Sequence, residues 1–273
     1  MTSILQENNR SLNRSLIASL ASGTFQTVLF NPWDKANYLA IKHRRSFLDK
    51  RNFVHPFQGV TNNAFGRFIS CGLYFTFLDR YKHFFASKTK SAFLSSLCSG
   101  MATGTTVAVL TNAHSVVKYS MWGKKDASFL PQMIDMYKKG GAGVFSRGLK
   151  SRIGRDIIFS IVFSTAHDFT TIRFDGDARI IFAADIFSAF VATSCASPYN
   201  YIMNHQYACK SEDRLISAKH IVRELATEGK RAKHSPLFYI HRLHIGWGTL
   251  RVSLGMSIGY QIYDFVKNKV PII

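Results

Sequence analysis

The sequence of 273 residues carries 35 Lys and Arg against 16 Asp and Glu, a formal net charge of +19, yet 47% of its residues are hydrophobic. That apolar share excludes a disordered basic chain, which would have too little apolar surface to fold. The charge alone is typical of nucleic-acid-binding proteins, so its distribution along the chain has to decide between partners.

Six apolar segments follow one another along the chain, and their apolar residues recur with helical rather than alternating periodicity. Their approximate bounds are 13–41, 62–85, 93–122, 150–173, 179–208 and 246–268. Most are long enough to cross a hydrocarbon layer, which takes about 20 helical residues. We therefore predict an all-α membrane protein with six transmembrane helices. A soluble helical bundle is the alternative, which the heavy aromatic load and the position of the charges near the segment ends disfavour.

The mean hydropathy of −0.01 shows that the six helices cannot be apolar on every face. Each helix must turn a polar face toward water or toward another helix. The composition therefore predicts a bundle around a central aqueous cavity.

Three stretches of the chain are similar to one another, and each ends an apolar segment. They read NPWDKAN at 31–37, NAHSVVK at 112–118 and SPYNYIM at 197–203. A second pattern follows each of them, as LDRYK at 78–82, HDFTT at 167–171 and YDFVK at 263–267. An internal period of this length indicates related units. We predict three pseudo-symmetric two-helix repeats, at 1–88, 89–176 and 177–273.

The positive charge is concentrated in the segments that link the two helices of each repeat. Segments 42–58, 123–148 and 209–245 have a large excess of Lys and Arg, whereas 83–92 and 173–179, between repeats, have a small one. Membrane proteins show this asymmetry when their long loops face one compartment. We expect these loops to bind anionic lipid head groups and expect no nucleic-acid partner.

The sequence offers no convincing arrangement of nucleophile, base and orienting group, so we predict that the protein is not an enzyme. Four cysteines form no CxxC pair and are interpreted as small packing residues: Cys71, Cys98, Cys195 and Cys209. His241 with His244, or His205 with Cys209, are weak metal candidates, and three of these four residues lie at the edge of basic loops. We predict no metal and no cofactor, and we expect segment 1–16 to be retained.

The repeats resemble the mitochondrial carrier family, whose odd helices hold P-x-[DE]-x-x-[KR] and whose even helices hold [FY]-[DE]-x-x-[RK]. GVFSRG at 143–148 is similar to the family's glycine-rich turn, and RDIIFS at 155–160 is similar to its R-[DE]-x-P-F-S run. Ser96, Gly100 and Gly104 keep the small-residue spacing that lets helices pack closely.

The resemblance implies a monomeric, multi-pass carrier of the mitochondrial inner membrane with bound anionic, cardiolipin-like lipid. Such a carrier moves a small anionic or zwitterionic metabolite by alternating access. The divergence of the motifs leaves open a secreted bacterial member of the family that acts on host mitochondria.

The family closes the matrix side of its cavity with three ion pairs between the odd helices. Carried over residue by residue, these matrix-gate pairs are Asp34 with Lys118, Ser115 with Met203, and Asn200 with Asn37. Two pairs have lost charge from both partners together, so that no single charge is left in a desolvated ring.

The even helices close the cytoplasmic side in the same way. The resemblance pairs Asp168 with Lys267 and Asp264 with Lys82, while Asp79 faces Thr171 and has lost its base. With more charge at this gate, we expect the state open to the matrix to be favoured. The neutral matrix gate also leads us to expect one-way transport alongside exchange.

The substrate is predicted from the even helices, where Arg155 and Asp156 resemble the pair found in carriers of amino acids. The arginine would hold a carboxylate through two hydrogen bonds, and the aspartate an ammonium. Arg67 and Arg251 would add positive potential. Alternatively, Asp156 neutralises Arg155 or Arg152 and binds nothing, because charges inside membranes often pair with one another.

Nucleotides are the second substrate class, because Lys35 stands where adenine nucleotide carriers have a base. Arginines with nearby Phe159 and Tyr74 would serve the phosphate and the ring. Two features argue against a nucleotide substrate. The apolar residue pair usual in carriers of adenine nucleotides is replaced by Arg155 and Asp156, and the arginine triplet of the ADP/ATP exchanger is absent. A carrier-like protein that no longer transports stays open as well.

Overall fold

The computed structural model describes residues 2–43, 45–122, 124, 128–173, 178–209, 213 and 215–269. Within these ranges the chain is helical, with turns and short links and no strand. The α-helices of the described residues are α1 (Thr2–Lys42), α2 (Val60–Lys88), α3 (Ala92–Met121), α4 (Phe129–Gly140), α5 (Leu149–Arg173), α6 (Ala178–Ala208), α7 (Ala218–Arg231), α8 (Pro236–Arg242) and α9 (Trp247–Lys269). Short 3₁₀ helices also cover Lys50–Asn52 and Ala142–Ser146.

The six segments predicted from periodicity correspond to α1, α2, α3, α5, α6 and α9, and the all-α class is confirmed. One bound differs clearly, because α1 begins at Thr2 rather than at residue 13. Residues 2–12 lack an apolar run but also contain no glycine or proline, so nothing in the backbone ends the helix there.

The six long helices form a closed ring. Each packs against the next in the order α1, α2, α3, α5, α6 and α9, and α9 returns to pack against α1. The short helices stand outside this order, with α4 against α3 and α7 against α6. We call the end where α1, α3 and α6 terminate the loop side, because the long basic links begin there.

Close packing around the ring depends on small residues, as predicted for α3. A Cβ at Gly104 would lie 2.6 Å from the backbone oxygen of Asp156, and one at Gly100 would lie 3.1 Å from that of Ser160. These glycines let α3 and α5 approach backbone to backbone.

Two asparagines that begin the similar stretches 31–37 and 112–118 attach α1 and α3 to the turns before α2 and α5. The Asn31 amide donates to the Pro56 carbonyl at 2.9 Å. The Asn112 amide donates to the carbonyls of Phe145 and Arg147 at 2.7 and 3.1 Å. In the third repeat Ser197 instead donates to Thr193 of its own helix. Each turn then ends at a glycine with positive φ, which is Gly59 before α2 and Gly148 before α5.

Among the described residues, Ala92–Met121 is the one helix whose length and composition pass a test for crossing a membrane. The prediction of six transmembrane helices therefore stays a prediction.

The asparagine contacts make the first prediction. Asn112→Ala should lower the free energy of unfolding by about 1–3 kcal/mol, because it leaves buried carbonyl groups without a donor. Tyr207 would also lose the acceptor of its 2.7 Å hydroxyl hydrogen bond. Thermal unfolding of the purified protein measures the effect. Asn268→Ala, at an exposed side chain that donates to Asp264, is the control, and equal stability of both variants would contradict the prediction.

Candidate functional site: the central cavity

The ring of helices surrounds a cavity of about 310 Å³ that all six long helices line. Its described lining holds five cationic side chains and two carboxylates. The cations are Arg67, Lys118, Arg152, Arg155 and Arg251, and the carboxylates are Asp34 and Asp156. The lining thus has a surplus of positive charge in a partly dehydrated space, where Coulomb interactions are stronger than in water.

Asp34 is shared by two arginines, one on α2 and one on α9. Arg251 of α9 forms an ion pair with it, with Nη2 at 2.7 Å from Oδ2, and Arg67 of α2 lies 3.3 Å from the same oxygen. Arg251 is 4% exposed and lies over the ring of Phe30 at 4.9 Å. The carboxylate therefore ties α1 to both of its neighbours in the ring.

The predicted pairing of Asp34 with Lys118 is wrong as a direct contact, although both residues line the cavity and interact electrostatically. Lys118 donates to the amide oxygen of Asn63 at 3.3 Å. Its ammonium also lies 4.9 Å from the ring centres of Tyr119 and Trp122. The physical reason is competition, because a guanidinium binds a carboxylate in two-point geometry that an ammonium cannot match.

Asp156 is likewise shared by two arginines, Arg155 and Arg152. Arg155 donates from Nε at 2.6 Å, and Nε of Arg152, one helical turn earlier, lies 3.5 Å from Oδ2. The alternative in which Asp156 neutralises neighbouring arginines therefore describes the arrangement in the structure. Asp156 is not free to act as a separate ammonium site.

Arg152 joins α5 to α3 and was not among the predicted site residues. Its guanidinium donates to the Thr111 carbonyl at 2.9 Å, to the Thr111 hydroxyl and to the Ser115 hydroxyl at 2.6 Å. The sequence signal for Arg152 is its spacing from Asp156, which was already a candidate. The two residues are four apart, and residues four apart lie on the same face of a helix.

The predicted neutral pairs do not bond to each other. Ser115 accepts from Arg152, and Met203 is buried in an apolar cluster with Val116 and Val117. Asn37 and Asn200 both line the cavity, but no hydrogen bond joins them in the described residues.

Lys35, proposed for nucleotide binding, does not line the cavity. It is buried, and its ammonium donates to the carbonyls of Val54 and His55, each at 2.9 Å, and to Gln58 at 2.8 Å. Lys35 therefore stabilises the turn before α2. The reason is helix geometry, because one residue along a helix rotates the side chain by about 100° and turns Lys35 away from the face of Asp34.

At the end opposite the loop side, the pairing also differs from the prediction. Lys267 lies 3.7 Å from Asp79, which the sequence left without a base. Asp264, which was predicted to pair with Lys82 of α2, accepts a hydrogen bond from Asn268 on its own helix. The side chains of Asp168 and Thr171 lie outside the described residues. Asp79 and Lys267 are about half exposed, so this ion pair adds little stability.

Four aromatic side chains pack together at the loop-side end of the cavity, and we call them the aromatic floor: Tyr38, Tyr119, Trp122 and Tyr207. The ring centres of Tyr38 and Tyr119 are 4.8 Å apart, and those of Tyr119 and Tyr207 are 5.3 Å apart. Trp122 lies 5.4 and 5.1 Å from Tyr38 and Tyr119. The floor joins α1, α3 and α6, and ring pairs at these distances are favourable beyond their burial.

The expectation that the state open to the matrix is favoured considered only ion pairs, and it stays a prediction. Two of the three predicted pairs are neutral at this end, where the structure shows aromatic packing, with Tyr38, Trp122 and Tyr207 each at most 3% exposed.

His244 lies in the turn before α9 and also lines the cavity. Burial, with smaller contributions from Arg242 and His241, lowers the pKa of its imidazole to about 4. The neutral imidazole is therefore the form that the folded protein accommodates.

The sequence has no match among known protein families or among curated proteins.

The second prediction concerns pH. The pKa of His244 is lower in the folded than in the unfolded protein, so the unfolded chain binds more protons between about pH 6.5 and pH 4, and stability falls as the pH drops through that window. Protonation at this site should cost up to about 3 kcal/mol. His244→Asn should remove that part of the pH dependence in unfolding midpoints measured from pH 7 to pH 4. His220→Asn, at an exposed position, is the control, and an unchanged pH profile in His244→Asn would refute the assignment.

Proposed function

We propose that the protein is a membrane-spanning carrier that moves a small anionic metabolite through the central cavity by alternating access. The observation that carries the proposal is the reversed polarity of the helix ring, with polar side chains toward the centre and large apolar ones outside. The surplus of cations in the cavity supports an anionic substrate.

The reversed polarity is visible on single helices. On α6, Phe187 is 68% exposed whereas the adjacent Ser188 is 2% exposed. On α1, Phe25 and Leu29 are exposed while Gln26 is buried. A buried polar residue beside an exposed large apolar one is informative, because soluble proteins favour the opposite arrangement. A hydrocarbon environment accounts for such an outer surface.

This arrangement also lowers the average hydropathy of the long helices. A helix that turns one face to lipid and one to an aqueous cavity has an intermediate average hydropathy, and polar residues in membrane proteins face the interior of the bundle. We propose that α1, α2, α3, α5, α6 and α9 all span the membrane as three two-helix repeats.

The resemblance of the repeats to mitochondrial carriers supports a location in the mitochondrial inner membrane. The basic links, with α4 and α7, would then lie near anionic head groups such as cardiolipin. The shared pairing of Asp34 and Asp156 leaves the cavity with a positive balance that suits a substrate with more than one negative charge. Amino-acid-type anions and nucleotides both remain within the proposal.

Reconstitution into liposomes tests transport directly. Arg155→Ala should reduce uptake of the transported anion at least about tenfold, because it removes a two-point anion anchor worth roughly 1.5–3 kcal/mol. Lys139→Ala is the matched control, because Lys139 is exposed and pairs with Asp135. Wild-type uptake by Arg155→Ala, with a folded protein, would move the anchor to Arg67, Arg251 or Lys118.

The aromatic floor leads to a prediction about one-way transport. We expect the wild type to show one-way uptake into liposomes that contain no internal substrate. Trp122→Leu should raise it by about tenfold, because two ring contacts and a cation–π contact with Lys118 are lost. Asn37→Lys with Asn200→Asp should lower it by adding an ion pair. Strict exchange in every variant would show that the aromatic floor does not limit opening.

A second candidate function is a carrier-like membrane protein without transport. It is favoured by the neutral positions where the resemblance places ion pairs, because these remove charge from the expected gate. Absence of uptake for amino acids, carboxylates and nucleotides by folded, reconstituted protein would support this candidate over the carrier.

A further inference from the structure

The two carboxylates of the cavity differ in which helices their ion pairs join. Asp156 pairs with two arginines of its own helix, α5. Asp34 of α1 pairs instead with Arg67 of α2 and with Arg251 of α9. A movement of one helix relative to another can leave the pairs of Asp156 intact, whereas it changes those of Asp34.

An anion in the cavity can reach the groups that hold Asp34. Asp34, Arg67 and Arg251 all line the cavity, and the side chains of Asp34 and Arg67 are 15% and 26% exposed. A guanidinium binds a carboxylate or a phosphate-like oxyanion through the same two-point geometry. The Asp34 carboxylate therefore occupies the place that a free anion would take, and it competes with that anion from within the protein.

Lys118 of α3 is a second cation with which Asp34 can pair. Among the described cations of the lining, it is the one that contacts no carboxylate. Its hydrogen bond to Asn63 is long, at 3.3 Å, and its ammonium otherwise lies near aromatic rings. Coulomb attraction already acts between Lys118 and Asp34. The ammonium therefore loses little when it turns to a carboxylate.

The positions of Asp34 and Lys118 bring them within reach of each other. Tyr38 follows Asp34 by four residues on α1, and Trp122 follows Lys118 by four residues at the end of α3. Residues four apart lie on the same face of a helix, and the ring centres of Tyr38 and Trp122 are 5.4 Å apart. Asp34 and Lys118 therefore lie one helical turn from a contact that already joins α1 and α3.

We propose that Asp34 exchanges partners when an anion enters the cavity: the anion binds Arg67 and Arg251, and the displaced carboxylate pairs with Lys118. This inference rests on the proposed function, because the cavity must admit an anion, and it makes Asp34 the group that regulates the same site. A buried carboxylate without a cation is unfavourable, so the displacement depends on Lys118. The exchange replaces ion pairs from α1 to α2 and α9 by one from α1 to α3, which couples anion binding to the loop-side end.

Sulfate binding to the purified full-length protein, measured by calorimetry, tests the competition. Sulfate is the probe because a guanidinium binds it in two-point geometry. Asp34→Asn should bind sulfate at least about tenfold more tightly than the wild type, because the competing carboxylate is lost. Asp135→Asn removes the same charge from an exposed pair with Lys139, and this control should bind sulfate as the wild type does. Equal affinity in Asp34→Asn and the wild type, or no binding by Asp34→Asn, overturns the proposal.

A double-mutant cycle separates partner exchange from a general change in charge. Lys118→Gln should weaken sulfate binding more in the wild-type background than in the Asp34→Asn background, because the displaced carboxylate then lacks a partner. Equal weakening in both backgrounds contradicts the exchange.

Carbodiimide cross-linking detects the new pair in the wild type, so this measurement does not depend on a variant that folds. The reagent activates a carboxylate, and an amine in contact with it then forms an amide and releases the urea, whereas a guanidinium forms no such link. Sulfate should raise the yield of the amide between Asp34 and Lys118 at least about threefold over chloride at equal ionic strength, because the anion shifts the population toward that pair. The exposed pair of Asp135 and Lys139, at 3.0 Å, is the control and should give the same yield in both salts. A yield at Lys118 that sulfate leaves unchanged overturns the exchange.

The outcomes separate the two proposals. A cross-link that does not respond to sulfate, with anion uptake that is lost in Arg155→Ala, overturns the exchange and leaves the carrier intact. A cross-link that responds to sulfate, in a protein that takes up no anion in liposomes, overturns the carrier and leaves the exchange intact.

Discussion

The sharing of two carboxylates among four arginines is the interaction on which the centre of the molecule depends. Asp34 holds Arg251 and Arg67, and Asp156 holds Arg155 and Arg152. A charge in a partly dehydrated space is costly unless it is paired and hydrogen-bonded. The pairs satisfy this condition, and the contacts that join the helices still leave the described lining of the cavity with a net positive charge.

The glycines and asparagines of the ring are the means by which these pairs are brought together. Gly104 sets the distance from α3 to the backbone of Asp156. Asn112 fixes the turn from which α5 begins, and α5 carries Arg152 and Arg155. These contacts position the cationic side chains of the cavity, which lie on helices rather than on loops.

Aromatic packing joins the helices at the loop side, where the resemblance predicted ion pairs. An ion pair depends on both partners, because a single stranded charge is unfavourable. Two of the three predicted pairs are neutral, and Tyr38, Trp122 and Tyr207 are buried in ring contacts at this end.

The sequence by itself determined the six long helices, the all-α class and the close approach at Gly100 and Gly104, because these depend on local periodicity and residue size. The predicted substrate-binding residues Arg155, Asp156, Arg67 and Arg251 line one cavity, and Lys35 does not. The partner of each charge was decided by the tertiary structure. The sequence analysis paired Asp34 with Lys118 alone, whereas the distances in the structure pair Asp34 with Arg251 and Arg67.

The aromatic floor and the role of Lys35 were decided in the same way. Tyr119 and Tyr207 belong to different repeats, and their contact depends on how α3 and α6 converge. Lys35 and Asp34 are adjacent in sequence, yet a rotation of about 100° per residue sends one to a turn and the other to the cavity. Local pattern therefore determined where helices form, and the packing of helix against helix determined which side chains meet.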